Sequence, residues 1–124
     1  MSDTTLSLKE MCDRFDVTPR TLRYYEYIEL LSPEKTGRTR HYGPREIARL
    51  TLILRGRRWG FSLEEIRQWL EIYNKQGTRA QTQKMVELAD RQLEALEAQR
   101  NDLDTAISEL RDLRQQVQAE LEDR

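Results

Sequence analysis

Apolar residues come first in short bursts, each opened by a capping residue, and then in one long unbroken rhythm. Leu8, Met11, Cys12 and Phe15 recur at helical spacing behind a capping box, in which Ser7 caps the helix and Glu10 reaches back. The pattern predicts a first short helix over residues 7–15. Asp16 and Val17 form a tight turn, Thr18 offers an N-cap, and Pro19 takes the first helical position, where proline is favoured. A second helix then runs to about Ile28 with Leu22 and Tyr25 facing inward. Two short helices joined by a turn of three or four residues make the helix-turn-helix pattern.

Residues 30–43, LLSPEKTGRTRHYG, are broken by Pro33, Gly37 and Gly43 and read as a loop or small hairpin presenting Lys35, Arg38 and Arg40. Pro44 opens a third helix with Ile47, Leu50 and Leu54 on one face, ending near Arg58 before Gly60. Ser62 and Glu65 form a second capping box, for a fourth helix that buries Leu63, Ile66, Leu70 and Tyr73. A polar linker ends at Gly77. From about Thr82 onward there is neither proline nor glycine. Val86, Ala89, Leu93, Leu96, Arg100, Leu103, Ile107, Leu110, Arg114, Val117 and Leu121 alternate spacings of three and four, so nine of eleven seam positions over five heptads are apolar. Forty residues of helix extend about 60 Å. An isolated helix cannot bury its own stripe, so this one requires a partner, most simply its copy in a second chain. The expected division is residues 1–77 and residues 78–124.

Charge sharpens that division. The net charge of −1 combines +4 over residues 1–79 (15 Lys+Arg, 11 Asp+Glu) with −5 over residues 80–124 (6 against 11). Arginine supplies 17 of the 21 basic residues, and its planar fork suits phosphates and guanine edges better than lysine does. A basic front and an acidic rear imply a polyanionic partner for the front only. One cysteine precludes an intrachain disulfide, and no secretory signal is recognisable. No apolar run approaches the roughly 20 residues that cross a bilayer, and the expected location is cytoplasmic.

The stretch TPRTLRYYEY, residues 18–27, then acquires a purpose. Arg20, Arg23, Tyr24 and Tyr27 are linked by steps of three and four and share the outward face of the second helix. Arginine reads guanine edges or clamps phosphate, and tyrosine offers a hydroxyl to phosphate and a flat ring to sugars and thymine methyls. This equips a recognition helix for the major groove of duplex DNA. Arginine-rich amphipathic helices also occur on plain surfaces. The capped turn before this one, the basic loop after it and the pairing helix at the end favour DNA.

TLRYYE followed by LLSP, then GRTRHY leading into a helix, then GFSLEEI, resembles the MerR family of transcriptional regulators over residues 6–75. Within it, LILRGRRWGFSLEEI followed by a tyrosine is most similar to the LiuR-like branch, which is associated with branched-chain amino-acid and acyl-CoA catabolism. The resemblance implies a mainly all-α chain: a winged helix-turn-helix DNA-binding domain, then a long dimerisation helix forming an antiparallel coiled coil. It implies a homodimer on palindromic promoter operators that bends and untwists the DNA. Some members thereby realign promoter elements for RNA polymerase, and others repress. Deforming DNA costs about 1–6 kcal/mol or more, so many contacts are needed. Carried over by position, Thr18, Arg20, Arg23, Tyr24 and Tyr27 belong to the groove-reading helix. Arg38, Arg40 and Tyr42 belong to the first wing, and Arg55, Arg57 and Arg58 flank the second and reach phosphates. The pairing surface is Val86, Ala89, Leu93, Leu96, Leu103, Ile107, Leu110, Val117 and Leu121. Two positions depart from the family, which usually has glycine where Asp16 and Ile28 stand. Aspartate tolerates the left-handed backbone, while Ile28 implies a helix end tucked into the core.

Other chemistry is sparse. Cys12 lies among Leu8, Met11 and Phe15 and reads as a structural thiol, and one Cys with His41 cannot build a structural zinc site. Metal-sensing relatives carry cysteines around the ends of the dimerisation helix, a region that has none here. No cofactor is implied. There is no nucleophile–base pair, phosphate loop or metal cluster to suggest an enzyme. The alternative to a regulator is a coiled-coil scaffold whose basic front is incidental. Arg100 and Arg114 in the seam either extend their heads into water or fix register against acidic residues of the partner. Larger relatives add a ligand-binding domain after the long helix. With the sequence ending at Arg124, the expectation is either no small effector or one bound near residues 73–90 or between subunits, where Trp59, Trp69 and Tyr73 could line a pocket, although core packing is the favoured role for Trp69 and Tyr73.

Overall fold

A computed structural model describes residues 5–75 and 77–123, the side chains of residues 73–75 excepted. The side chain of Tyr73, expected in the core and beside an effector site, is among those outside the description. The order is α1 (Leu8–Phe15), α2 (Pro19–Tyr27), β1 (Glu34–Thr36), β2 (Thr39–His41), α3 (Pro44–Trp59), α4 (Leu63–Lys75) and α5 (Arg79–Glu122). The chain divides into two compact units, residues 1–78 and 79–124.

Local chemistry explains the first helices. Ser7 Oγ accepts from the Glu10 N–H (3.1 Å), and the Glu10 carboxylate accepts from the Ser7 N–H (2.8 Å), closing the capping box of α1. Asp16 terminates α1 in the left-handed conformation (φ 54°), which aspartate tolerates. Thr18 caps α2 through the Thr21 N–H at 3.1 Å, worth about 1 kcal/mol.

The end of α2 departs from expectation by one residue. Ile28 keeps φ −91°, and Glu29 takes the left-handed φ of 64°. The Leu30 N–H donates to the Tyr25 carbonyl (2.8 Å) and the Glu29 N–H to the Glu26 carbonyl (3.0 Å). That is a Schellman closure with glutamate where glycine is usual, and its apolar pair, Tyr25 and Leu30, is buried. Ile28 packs against the core from its edge.

The core gathers Met11, Leu22, Tyr25, Leu30, Leu31, Tyr42, Leu50, Ile53, Ile66 and Leu70. Leu30 and Leu31 lie in the stretch read as a loop but are fully buried, because the Schellman turn folds them back under α2. The inward face of α3 is also rotated from the expected one: Glu46, Leu50, Ile53 and Gly56 are buried, while Ile47 and Leu54 flank them half-buried. Gly56 lets α4 approach, since an added Cβ would stand 2.8 Å from Ile66 Cγ1. On α4, Ile66 and Leu70 are buried and Leu63 is half-buried, behind the Ser62–Glu65 box.

The second unit is one helix of 44 residues in which nothing described is buried. Val86, Leu93, Leu103, Ile107, Leu110, Val117 and Leu121 are all exposed in the single chain, and so is Leu113 beside them. No described helix is long and apolar enough to cross a membrane.

Candidate nucleic-acid interface

Helix α2 has two opposed faces. Leu22 and Tyr25 enter the core. Arg20, Arg23, Tyr24 and Tyr27 point out, with Tyr24 51% and Tyr27 83% exposed. An aromatic ring left 83% exposed gains nothing from burial, so its apolar face remains available to a ligand. Thr18 is exposed at the head of this face, with its hydroxyl engaged in the cap and 3.0 Å from Thr21 Oγ1.

The hairpin follows as a wing. β1 and β2 pair antiparallel with Glu34 opposite His41, Lys35 opposite Arg40 and Thr36 opposite Thr39. The two-residue connection is Gly37–Arg38, and Gly37 takes φ 63°, which a tight hairpin turn requires. Arg38 therefore stands exposed at the tip. The wing is tied back to α2 by Glu26: one carboxylate oxygen lies 2.5 Å from Lys35 Nζ and the other accepts from Arg40 Nε at 2.8 Å. Burial by itself raises the Glu26 carboxyl. The hydrogen bonds and charges of Lys35 and Arg40 outweigh it and hold the group below its ordinary value. Arg40 is raised in turn, chiefly by its hydrogen bond to Glu26.

Tyr42, expected among the wing residues that touch DNA, is instead fully buried. The Leu6 and Tyr42 backbones bond reciprocally at 2.8 Å, so the segment before α1 closes over the base of the hairpin. That bridge turns the Tyr42 ring inward, where burial raises its hydroxyl and no described group accepts from it. Arg40 also differs from a free wing cation, since it is committed to Glu26.

Three charged side chains that the sequence did not single out hold the end of α2. The Glu46 carboxylate, on a side chain only 6% exposed, accepts from the Ser32 N–H at 2.6 Å. Arg49 Nε donates to the Leu30 carbonyl at 2.9 Å, and Arg67 of α4 donates to the Ile28 carbonyl. Cations on carbonyls at a helix C-terminus complement its dipole. Burial, then the charge of Arg45, lowers Arg49 from its ordinary value. No local signal in the sequence marked these residues, because their partners lie 14 to 39 positions away.

Arg55 and Arg58 are exposed three positions apart on α3. Arg57, exposed beside them, donates to the Phe61 carbonyl at 3.2 Å across the α3–α4 turn. The Trp59 and Trp69 rings lie 6.1 Å apart and tilted by 42°, setting the last residue of α3 against the middle of α4. Cys12 is half-buried and packed on the core, and burial, then Asp13, raises its thiol. Among the described residues no group of three or more His, Cys, Asp or Glu could hold a metal ion.

A helix-turn-helix with an arginine- and tyrosine-bearing second helix and a hairpin wing defines the winged helix-turn-helix class. Residues 6–72 match the family model for MerR HTH family regulatory proteins, and residues 47–113 match the model for MerR, DNA binding. The chain belongs to the MerR family, whose members are DNA-binding transcriptional regulators and not enzymes. It is 33% identical over 118 residues, 91% of this chain and 80% of the relative, to an uncharacterized HTH-type transcriptional regulator, PA4778, of Pseudomonas aeruginosa. It is 38% identical over 69 residues to HmrR of Rhizobium leguminosarum, covering 55% of this chain and 54% of HmrR. The match thus spans about half of HmrR's length. Among solved structures, a MerR family regulator from Bacillus cereus superposes with a TM-score of 0.67 at 28% identity, over 85% of this chain and 76% of that one. HiNmlR, solved bound to promoter DNA, superposes with a TM-score of 0.69 over 85% of this chain and 80% of its own, and at 19% identity it speaks for the fold alone.

Proposed function

We propose that this chain regulates transcription as a homodimer on a palindromic promoter operator, with α2 reading the major groove and the hairpin wing meeting flanking phosphates. The observation that carries this reading is the outward face of α2, where Arg20, Arg23, Tyr24 and Tyr27 stand exposed while Leu22 and Tyr25 anchor the helix from behind. Arg55, Arg57 and Arg58 add cations for backbone phosphates. Residues 1–77 bind DNA, and residues 78–124 pair antiparallel with a second copy through the apolar seam of α5. A rigid dimer holding two reading helices can bend and untwist the duplex between them, so that RNA polymerase meets realigned promoter elements. The LILRGRRWGFSLEEI segment supports a regulon in branched-chain amino-acid or acyl-CoA catabolism. Transcript levels of such genes in a deletion strain test that assignment.

The direct test is fluorescence anisotropy on a duplex selected from a random pool, against a scrambled duplex of equal length. The expected preference is 10³-fold or more, with the steep salt dependence of a phosphate-rich interface. Equal, weak binding to both duplexes supports the scaffold alternative instead.

A further inference from the structure

Glu26 is out of place by charge alone. It lies on the recognition helix between Tyr25 and Tyr27, three residues after Arg23, where a carboxylate faces phosphate repulsion. It also lines a cleft between α2 and the wing with Arg23, Tyr27, Lys35, Arg40 and Arg45. Its side chain is only 15% exposed, beneath a Lys35 that is 53% exposed and an Arg40 that is 25% exposed. The hairpin register sets Lys35 directly opposite Arg40, so one carboxylate spans both, an oxygen to each. Of the three wing cations, two are therefore ion-paired within the protein, sharing the single negative charge of Glu26. Arg38 at the tip has no ion pair among the described residues.

We propose that Glu26 is a positioning residue that sets DNA specificity, withholding Lys35 and Arg40 from phosphates and locking the wing to the recognition helix. Free wing cations bind any duplex through counterion release and carry no sequence information. Tying two of them down lowers affinity for all DNA equally. The same tie fixes where Arg38 meets the backbone relative to the bases that α2 reads, and only a correctly spaced site satisfies both. The inference rests on the DNA-binding reading above.

The test is Glu26→Gln in the full chain, measured on the selected and the scrambled duplex between 50 and 200 mM salt. A merely structural glutamate predicts weaker binding everywhere. This account predicts the opposite sign on scrambled DNA: tighter binding, with a log–log salt slope steeper by about 0.9 for each cation freed. Over that fourfold salt range the variant loses roughly 3- to 12-fold more affinity than the wild type does. The ratio of selected to scrambled affinity falls on the order of tenfold, the scale of one mismatched base pair. An unchanged slope or an unchanged ratio overturns the proposal. If circular dichroism shows the variant unfolded, Lys35→Gln decides. A slope reduced by a full 0.9 or so means that Lys35 already sits on a phosphate, which overturns the proposal. A much smaller reduction upholds it. Failure of the wild type to distinguish the two duplexes is a separate result, and it removes the DNA reading itself.

Discussion

The two units of this chain use the same apolar periodicity to different ends. In residues 5–75 every helix finds its cover within the chain: Leu22, Leu50, Ile53, Ile66 and Leu70 are all but inaccessible. In α5 the stripe is longer and more regular, yet Leu103 remains 61% and Leu110 65% exposed. Short helices separated by turns can fold onto one another, whereas one continuous helix of 44 residues cannot. The first unit therefore has a core of its own, and the second, on the proposed reading, acquires its cover from a second copy. Substitutions in one unit should leave the behaviour of the other unchanged.

The largest effect is expected in the second unit. Leu103→Lys with Leu110→Lys removes four leucines from a two-chain seam, on the order of 6–12 kcal/mol of burial. Sedimentation should show monomers, and helicity should fall while the tertiary signal of the first unit persists. Next comes Leu22→Ala, which opens the core beneath the recognition helix and should cost about 2–5 kcal/mol. The first unit should melt early, and the paired helices should survive as a separate, later transition in calorimetry. Gly56→Ala is milder. Its methyl meets Ile66, and overpacking of about 1–3 kcal/mol outweighs the better helix propensity of alanine, about 1 kcal/mol. Chemical denaturation should show the lowered midpoint, with dimer mass unaltered. The smallest change has the opposite sign. Tyr42→Phe deletes a buried hydroxyl without an acceptor, so thermal stability should stay level or rise by up to about 1 kcal/mol, with DNA affinity retained.

That last substitution marks where sequence reasoning reached its limit. Caps and turns are local, and Ser7, Glu10, Thr18, Pro19 and Ser62 announced α1, α2 and α4 from residues a few positions apart. The outward arginines and tyrosines of α2 were legible for the same reason, because helical spacing alone assigns a face. Tyr42 was not, because its direction is set by a bridge to Leu6, 36 residues earlier. The inward face of α3 was rotated because Glu46, polar by type, is buried on the Ser32 N–H. Leu30 and Leu31 escaped notice for a related reason: Glu29 closes the helix where glycine would have signalled it. Glu26, Arg49 and Arg67 drew no reading from the sequence, because only the fold sets them against the wing and the end of α2.

The most direct test of the account is native mass spectrometry of the wild-type chain with a selected duplex, across a range of protein concentration. Two chains per duplex are expected at every occupancy, with no singly bound species, because α5 commits the chain to a pair before DNA is met. One chain per duplex at low occupancy, with monomer in solution, would contradict it.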